Sequence, residues 1–132
     1  MQSVSPAPPK TRPKYYDVNL LHLPVAGLMS IFHRISGVVM FMVLFPALLF
    51  ILQETLGSEA GFARWKTYLA HPLAKLVLLG FVWCYLHHFF AGIRFLLLDV
   101  HIGIGKIPAR RTAVAVMALG VLGTLLVGFL IW

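Results

Sequence analysis

Two short segments of the 132-residue chain hold side chains that can do chemistry inside otherwise apolar surroundings. The first reads Ser30-Ile31-Phe32-His33-Arg34-Ile35-Ser36-Gly37. Helical spacing of three and four puts Ser30, His33, Arg34 and Gly37 on one face. A hydroxyl, an imidazole and a fixed positive charge on one face can hydrogen-bond a carbonyl or hold a propionate or another anion. The plain alternative is that Arg34 snorkels to lipid headgroups and His33 caps the interface. The second segment runs from Tyr85 to Asp99 and contains His87, His88, Gly92, Arg94 and Asp99. His88, Ala91, Gly92, Phe95 and Asp99 form one stripe at helical spacing, and His87 and Arg94 share a neighbouring one. At ~1.5 Å per residue His88 sits about 16 Å from Asp99, too deep for surface chemistry. A neutral imidazole there suits an iron ligand, with Ala91 and Gly92 leaving room for a flat macrocycle. The alternative is a buried histidine bonded to a neighbouring helix. His87 points about 100° away from His88, so the two cannot ligate one haem together. Its shared face with Arg94 suggests a polar partner or a lipid-facing position.

The elements that must position these groups follow from hydropathy. Residues are 60% hydrophobic and 11% charged, which excludes an ordinary water-soluble surface. Three stretches exceed the roughly 20 apolar residues needed to cross a ~30 Å hydrocarbon core: 28–52, 72–98 and 112–132. The expected fold is therefore all-α and integral to the membrane, with three transmembrane helices forming part of a heteromeric bundle. The polar connector 53–71 reads as an exposed loop with room for a short interfacial helix. The shorter connector 99–111 reads as a second loop, because Gly103, Gly105 and Pro108 break helices. Residues 1–27 read as an amino-terminal approach to the membrane, and 28–132 as the anchor domain. In the third stretch Gly120, Thr124 and Gly128 recur every four residues, a small-residue face where another helix can approach.

Charge and cysteine usage narrow the class further. The formal charge of +7 could suggest nucleic acid, but the cations flank apolar runs, so no nucleic-acid partner is expected. Lys10, Arg12 and Lys14 precede the first span, and Lys106, Arg110 and Arg111 follow the second. Retention of Lys and Arg on the cytoplasmic side then orients the amino terminus and second loop inside and the carboxyl terminus outside. The lone Cys84 lies in an apolar stretch and reads as packing, not as part of a redox pair. The first ~16 residues are polar and proline-rich, unlike a cleavable signal peptide.

Taken together, the two segments resemble those of the succinate dehydrogenase cytochrome b family, which forms part of the membrane anchor of respiratory complex II. That family carries Ser-x-x-His-Arg-x-x-Gly in its first helix and His-x-x-x-Gly-Ile-Arg-x-x-x-x-Asp in its second, matched here by Ser30 to Gly37 and His88 to Asp99. Arg12-Pro13, the stretch 17–20 and Pro24 also resemble the family's approach to the membrane. The resemblance implies that His88 is one axial ligand of a haem b shared with a companion anchor. It implies that Ser30 and Arg34 line a ubiquinone site, with His33, Arg94 and Asp99 as candidates for haem-propionate contacts or a proton path. The implied partners are a second membrane anchor subunit, an iron-sulfur subunit, a flavoprotein subunit and the lipid bilayer. The implied location is a bacterial inner membrane, multi-pass, with the amino terminus cytoplasmic and the carboxyl terminus periplasmic. The chain departs from many relatives at Phe95, where they have histidine after Gly-Ile-Arg, so the propionate contacts attributed to that histidine do not carry over to this position.

By the same resemblance the complex oxidises succinate in the flavoprotein and reduces quinone at the membrane. This chain has no cluster-binding cysteine set or flavin fold, so its share is the quinone half-reaction and it is not catalytic alone. Three other readings compete: a haem-free structural anchor, a fumarate reductase anchor running in reverse, and a small proton-relay transporter. Three helices without an inverted repeat fit the last poorly.

Overall fold

The computed structural model describes residues 23–132, and all their regular elements are helical. The chain forms α1 (Val25–Val39), a π-helical turn (Met40–Leu44), α2 (Phe45–Gly57), α3 (Glu59–Ala70), α4 (Pro72–Asp99) and α5 (Lys106–Ile131). Three apolar helices are long enough to cross a membrane: Val25–Gly57, Pro72–Asp99 and Lys106–Ile131. Lys10, Arg12, Pro13, Lys14 and the stretch 17–20 lie outside the described residues, whereas Pro24 is the N-cap of α1.

The first span is one continuous helix of 33 residues, longer at both ends than the stretch 28–52 expected from hydropathy. At 1.5 Å per residue it reaches about 50 Å, so its ends extend beyond the hydrocarbon core. The π-helical turn in its middle has a local cause. Pro46 has no N–H to offer the Met42 carbonyl, and its ring crowds that carbonyl. The helix absorbs the defect by widening, and the Phe45 N–H reaches back five residues to the Met40 oxygen.

The connector 53–71 is not an open loop. Ser58 caps α3, its Oγ accepting from the Gly61 N–H at 3.0 Å, and Glu59 in the first turn complements the helix dipole. Gly61 is buried where α3 folds back on α2, and a Cβ there would collide with the Glu54 carbonyl. Arg64 donates to Glu54 across the same elbow at 2.8 Å, an exposed pair that adds little. Trp65 packs edge-on against Phe50 and Tyr68, the aromatic composition of a membrane interface. His71 then caps α4, its Nδ1 accepting from Leu73 N–H at 3.2 Å, with Pro72 in the first helical position.

At its other end α4 closes with His101 in the left-handed region, φ 64°. Its N–H bonds the Leu98 carbonyl and Ile102 N–H bonds that of Leu97, the paired closure of a Schellman motif. The turn is short, because α5 begins at Lys106 and not near Thr112. Pro108, expected to break the helix, lies instead in the first turn of α5, where a missing N–H removes no helical bond. Lys75 near the start of α4 donates to the Ile131 carbonyl at 2.8 Å and lies over the Trp132 ring, tying the two antiparallel helices together.

Burial is inverted relative to a water-soluble domain. The buried apolar core is Met29, Ala91, Ala113 and Val116, whereas Phe41, Leu56 and Phe129 are 67%, 79% and 84% exposed. Small residues let the helices approach: Gly120 faces the His87 backbone, and a Cβ there would lie 3.6 Å from His87 Cα. A Cβ on Gly128 would meet Leu79 at 3.4 Å. The small-residue face of the third span is thus used within this chain, against α4. Thr124 turns its hydroxyl back to the Gly120 carbonyl at 2.7 Å.

Candidate functional site

α1 and α4 meet so that two of the candidate side chains touch. The His33 and His88 rings stack with centroids 4.1 Å apart and planes 15° from parallel. His88 Nδ1 lies 3.0 Å from the His33 main-chain carbonyl and 3.3 Å from Ser36 Oγ. Ser36, almost wholly buried, donates its own proton to the same carbonyl at 3.0 Å. A carbonyl can only accept, so Nδ1 of His88 carries the hydrogen, which in the neutral ring leaves the lone pair on Nε2. The His88 ring lies against Gly37, where a Cβ would approach Cε1 to 2.9 Å. A recess of about 420 Å³ on this face is bordered by His33, Arg34, Gly37, Phe41 and Met42 together with His88. Its outer wall is the π-helical turn, whose Phe41 and Met42 face the recess.

The small residues after His88 serve contacts other than those expected from their spacing. Ala91 is fully buried in the core with Met29, Ala113 and Val116, and Gly92 faces the His33 ring, with a Cβ there 3.9 Å from Nε2. The space beside His88 comes from Gly37 on the opposite helix. Phe95 packs on His33 at 5.0 Å between centroids, an aromatic contact at that position.

His87 turns the other way, but not toward lipid. It is completely buried, stacked on Trp83 at 5.1 Å and edge-on to Phe32 at 6.2 Å. Among the described residues neither ring nitrogen makes a hydrogen bond; the Met29 main chain lies close without reaching bonding geometry. Neither expected role, polar partner or lipid-facing side chain, describes it.

The structure brings His33, Arg34 and His88 to one recess, and it separates the other candidates from them. Ser30 is on α1, one turn before Arg34, and does not border the recess. Arg94 is buried and reaches α5, donating from Nε to Thr112 Oγ1 at 3.0 Å and from Nη2 to the Ala109 carbonyl at 3.1 Å. Asp99 is exposed at the end of α4 and, among the described residues, pairs with no cation, Arg94 included. Sequence reasoning missed Ser36 and Thr112. Ser36 was legible in principle, because a serine three residues after a helical carbonyl commonly bonds back to it. Thr112 becomes relevant only through the α4 to α5 contact.

Three apolar spans, two of which bring a stacked imidazole pair to one recess, define a multi-pass membrane protein with a histidine site between its first two spans. The chain belongs to the succinate dehydrogenase/fumarate reductase transmembrane subunit family, whose sequence profile matches residues 8–127. It is similar to a succinate dehydrogenase cytochrome b556 subunit of Coxiella burnetii (strain RSA 493 / Nine Mile phase I). The two are 31% identical over 125 residues, covering 92% of this chain and 97% of that relative. The resemblance read from the two motifs, and with it the all-α transmembrane fold class, is borne out.

Proposed function

We propose that the chain is the haem b anchor of a bacterial succinate dehydrogenase, in which His88 provides one axial ligand and Ser30 and Arg34 serve ubiquinone. The observation that carries this reading is the bond from His88 Nδ1–H to the His33 carbonyl. A metal-ligating histidine usually donates its other ring N–H to a carbonyl, which fixes the tautomer and aims the free nitrogen. Nε2 of His88 makes no such bond, and His88 borders the recess while its ring packs against Gly37. The residues therefore fit one axial position, and a companion membrane anchor supplies the second histidine. When bound, haem b supplies a one-electron redox centre close to the quinone. The name of the Coxiella burnetii relative, a cytochrome b556 subunit, supports the same reading.

The chain's own residues do the rest. Arg34 is exposed beside the recess and pairs with no carboxylate among the described residues, so its guanidinium is available to a quinone oxygen. A cation and the Ser30 hydroxyl favour the negative charge that develops on that oxygen as electrons arrive. His33, stacked on His88, sits between this charge and the interior, a position suited to a propionate or to passing a proton. Electrons reach the site from a flavoprotein through an iron-sulfur subunit docked on the same side.

In the purified complex, Ser30→Ala or Arg34→Leu is expected to lower quinone reductase activity on the order of tenfold, while succinate oxidation by a soluble dye persists. Unchanged quinone kinetics in an assembled complex would remove both residues from the site. Lys106, Arg110 and Arg111, in the first turns of α5 beside the second loop, support a cytoplasmic side for that loop. A reporter inserted between Gly103 and Lys106 should accordingly label as inside, and one after Trp132 as periplasmic. The opposite labelling would put Arg34 on the wrong side for the iron-sulfur subunit.

A further inference from the structure

We propose that Arg94 floors a second, separate site, one that takes the phosphate of an anionic phospholipid whose acyl chain lies in the cleft between α4 and α5. Arg94 is only 5% exposed, yet its two hydrogen-bond partners, the Thr112 hydroxyl and the Ala109 carbonyl, are both neutral. They use two of the five guanidinium donors. Among the described residues no carboxylate pairs with it. A buried cation without a counter-ion is the costly arrangement in a membrane, and an anion is what it lacks.

The space beside it has the shape and chemistry of a lipid. A cleft of about 240 Å³ runs from Arg94 and Thr112 between Ile93, Leu97, Val116 and Leu119. The far walls are hydrocarbon, which suits an acyl chain and not a free inorganic anion. The depth is compatible as well: Arg94 lies about 7 Å from the end of α4, whose roughly 42 Å exceed the ~30 Å hydrocarbon core, so its backbone is close to the core edge and its side chain reaches on to the start of α5. Adjoining the cleft at Ala115 is a second recess bordered by Lys106, Arg110 and Arg111, and no carboxylate lines either one. Lys106 and Arg110, four residues apart, repel each other in the first turns of α5, where the helix dipole also disfavours positive charge. The general retention of cations on the cytoplasmic side explains why they occur near this loop. It does not explain a guanidinium folded into the protein, and anionic lipid answers both.

The whole complex, purified in mild detergent, would be analysed by native mass spectrometry for retained phospholipid and then titrated with phosphatidylcholine vesicles with and without phosphatidylglycerol. The wild type should hold a tightly retained anionic phospholipid and regain it only from phosphatidylglycerol vesicles. Arg94→Gln should weaken that retention about tenfold. Leu119→Trp, which fills the cleft and leaves the guanidinium in place, should weaken it similarly and carries the test if Arg94→Gln fails to assemble. Arg64→Gln, at the opposite end of the bundle, should change nothing. Equal retention in Arg94→Gln and Leu119→Trp would overturn the site. So would displacement of the lipid by inorganic phosphate alone, or loss of a partner protein from Arg94→Gln with the lipid count unchanged, which would make the missing anion a carboxylate of that protein.

Discussion

His88→Leu is expected to remove or markedly perturb the low-spin b-type spectrum of the purified complex, and His87→Leu to leave it in place. The two imidazoles are adjacent in sequence but meet different surroundings. His88 has one nitrogen committed to the His33 carbonyl, and its side chain borders an open recess. If His88 holds haem b, removing it would take away one of the residues that would hold the iron, and the reduced-minus-oxidised spectrum would change. His87 has no such opening, being enclosed by Trp83, Phe32 and the backbone contact at Gly120. Leucine there loses a stacking contact of about 0.5–1.5 kcal/mol. It also removes two buried nitrogens that make no hydrogen bond among the described residues, which works against that loss. The His87→Leu complex should therefore assemble with near-normal thermal stability and normal haem content by pyridine haemochrome. A normal spectrum in His88→Leu, with the signal lost in His87→Leu, would exchange the roles.

What the sequence made legible was the part governed by hydropathy and by spacing within one helix. Three spans follow from three long apolar runs, and the shared face of His33, Arg34 and Gly37 follows from helical geometry alone. The bounds were less legible because capping outweighs composition there. Pro108 looks like a breaker until it is seen in the first turn of α5, and the polar run after Glu59 is a helix because Ser58 caps it and Gly61 lets it fold back on α2. Contacts between helices were the least legible. His87 and Arg94 do share a stripe, but that stripe faces α5, so its meaning depends on Gly120 and Thr112 far along the chain. The small residues at Ala91 and Gly92 signalled close packing correctly, yet the packing is against Met29 and His33 and not around an open face.

Gly37 gives the sharpest test of how α1 shapes the His88 site, because its substitution should empty the site without touching a ligand. A Cβ at Gly37 would lie 2.9 Å from His88 Cε1 and 3.3 Å from Nδ1, closer than side-chain carbons normally come. The ring cannot simply swing away. His33 is stacked against it at 4.1 Å, and a rotation would break the 3.0 Å bond from Nδ1 to the His33 carbonyl. Alanine should therefore displace the ring slightly, leaving haem bound with a shifted midpoint potential. Leucine should also occupy part of the recess and reduce haem content to nearly that of His88→Leu. Helix strength works in the opposite direction, since replacing glycine in a helix interior by alanine or leucine favours the helix by up to about 1 kcal/mol. A loss of haem in an assembled Gly37→Leu complex would thus report the crowding of His88 and not a weakened span. Pyridine haemochrome quantification, with the stoichiometry of the complex measured on the same sample, separates the two. Full haem occupancy with an unshifted potential in Gly37→Leu would mean that the cofactor approaches His88 from a side this helix does not guard.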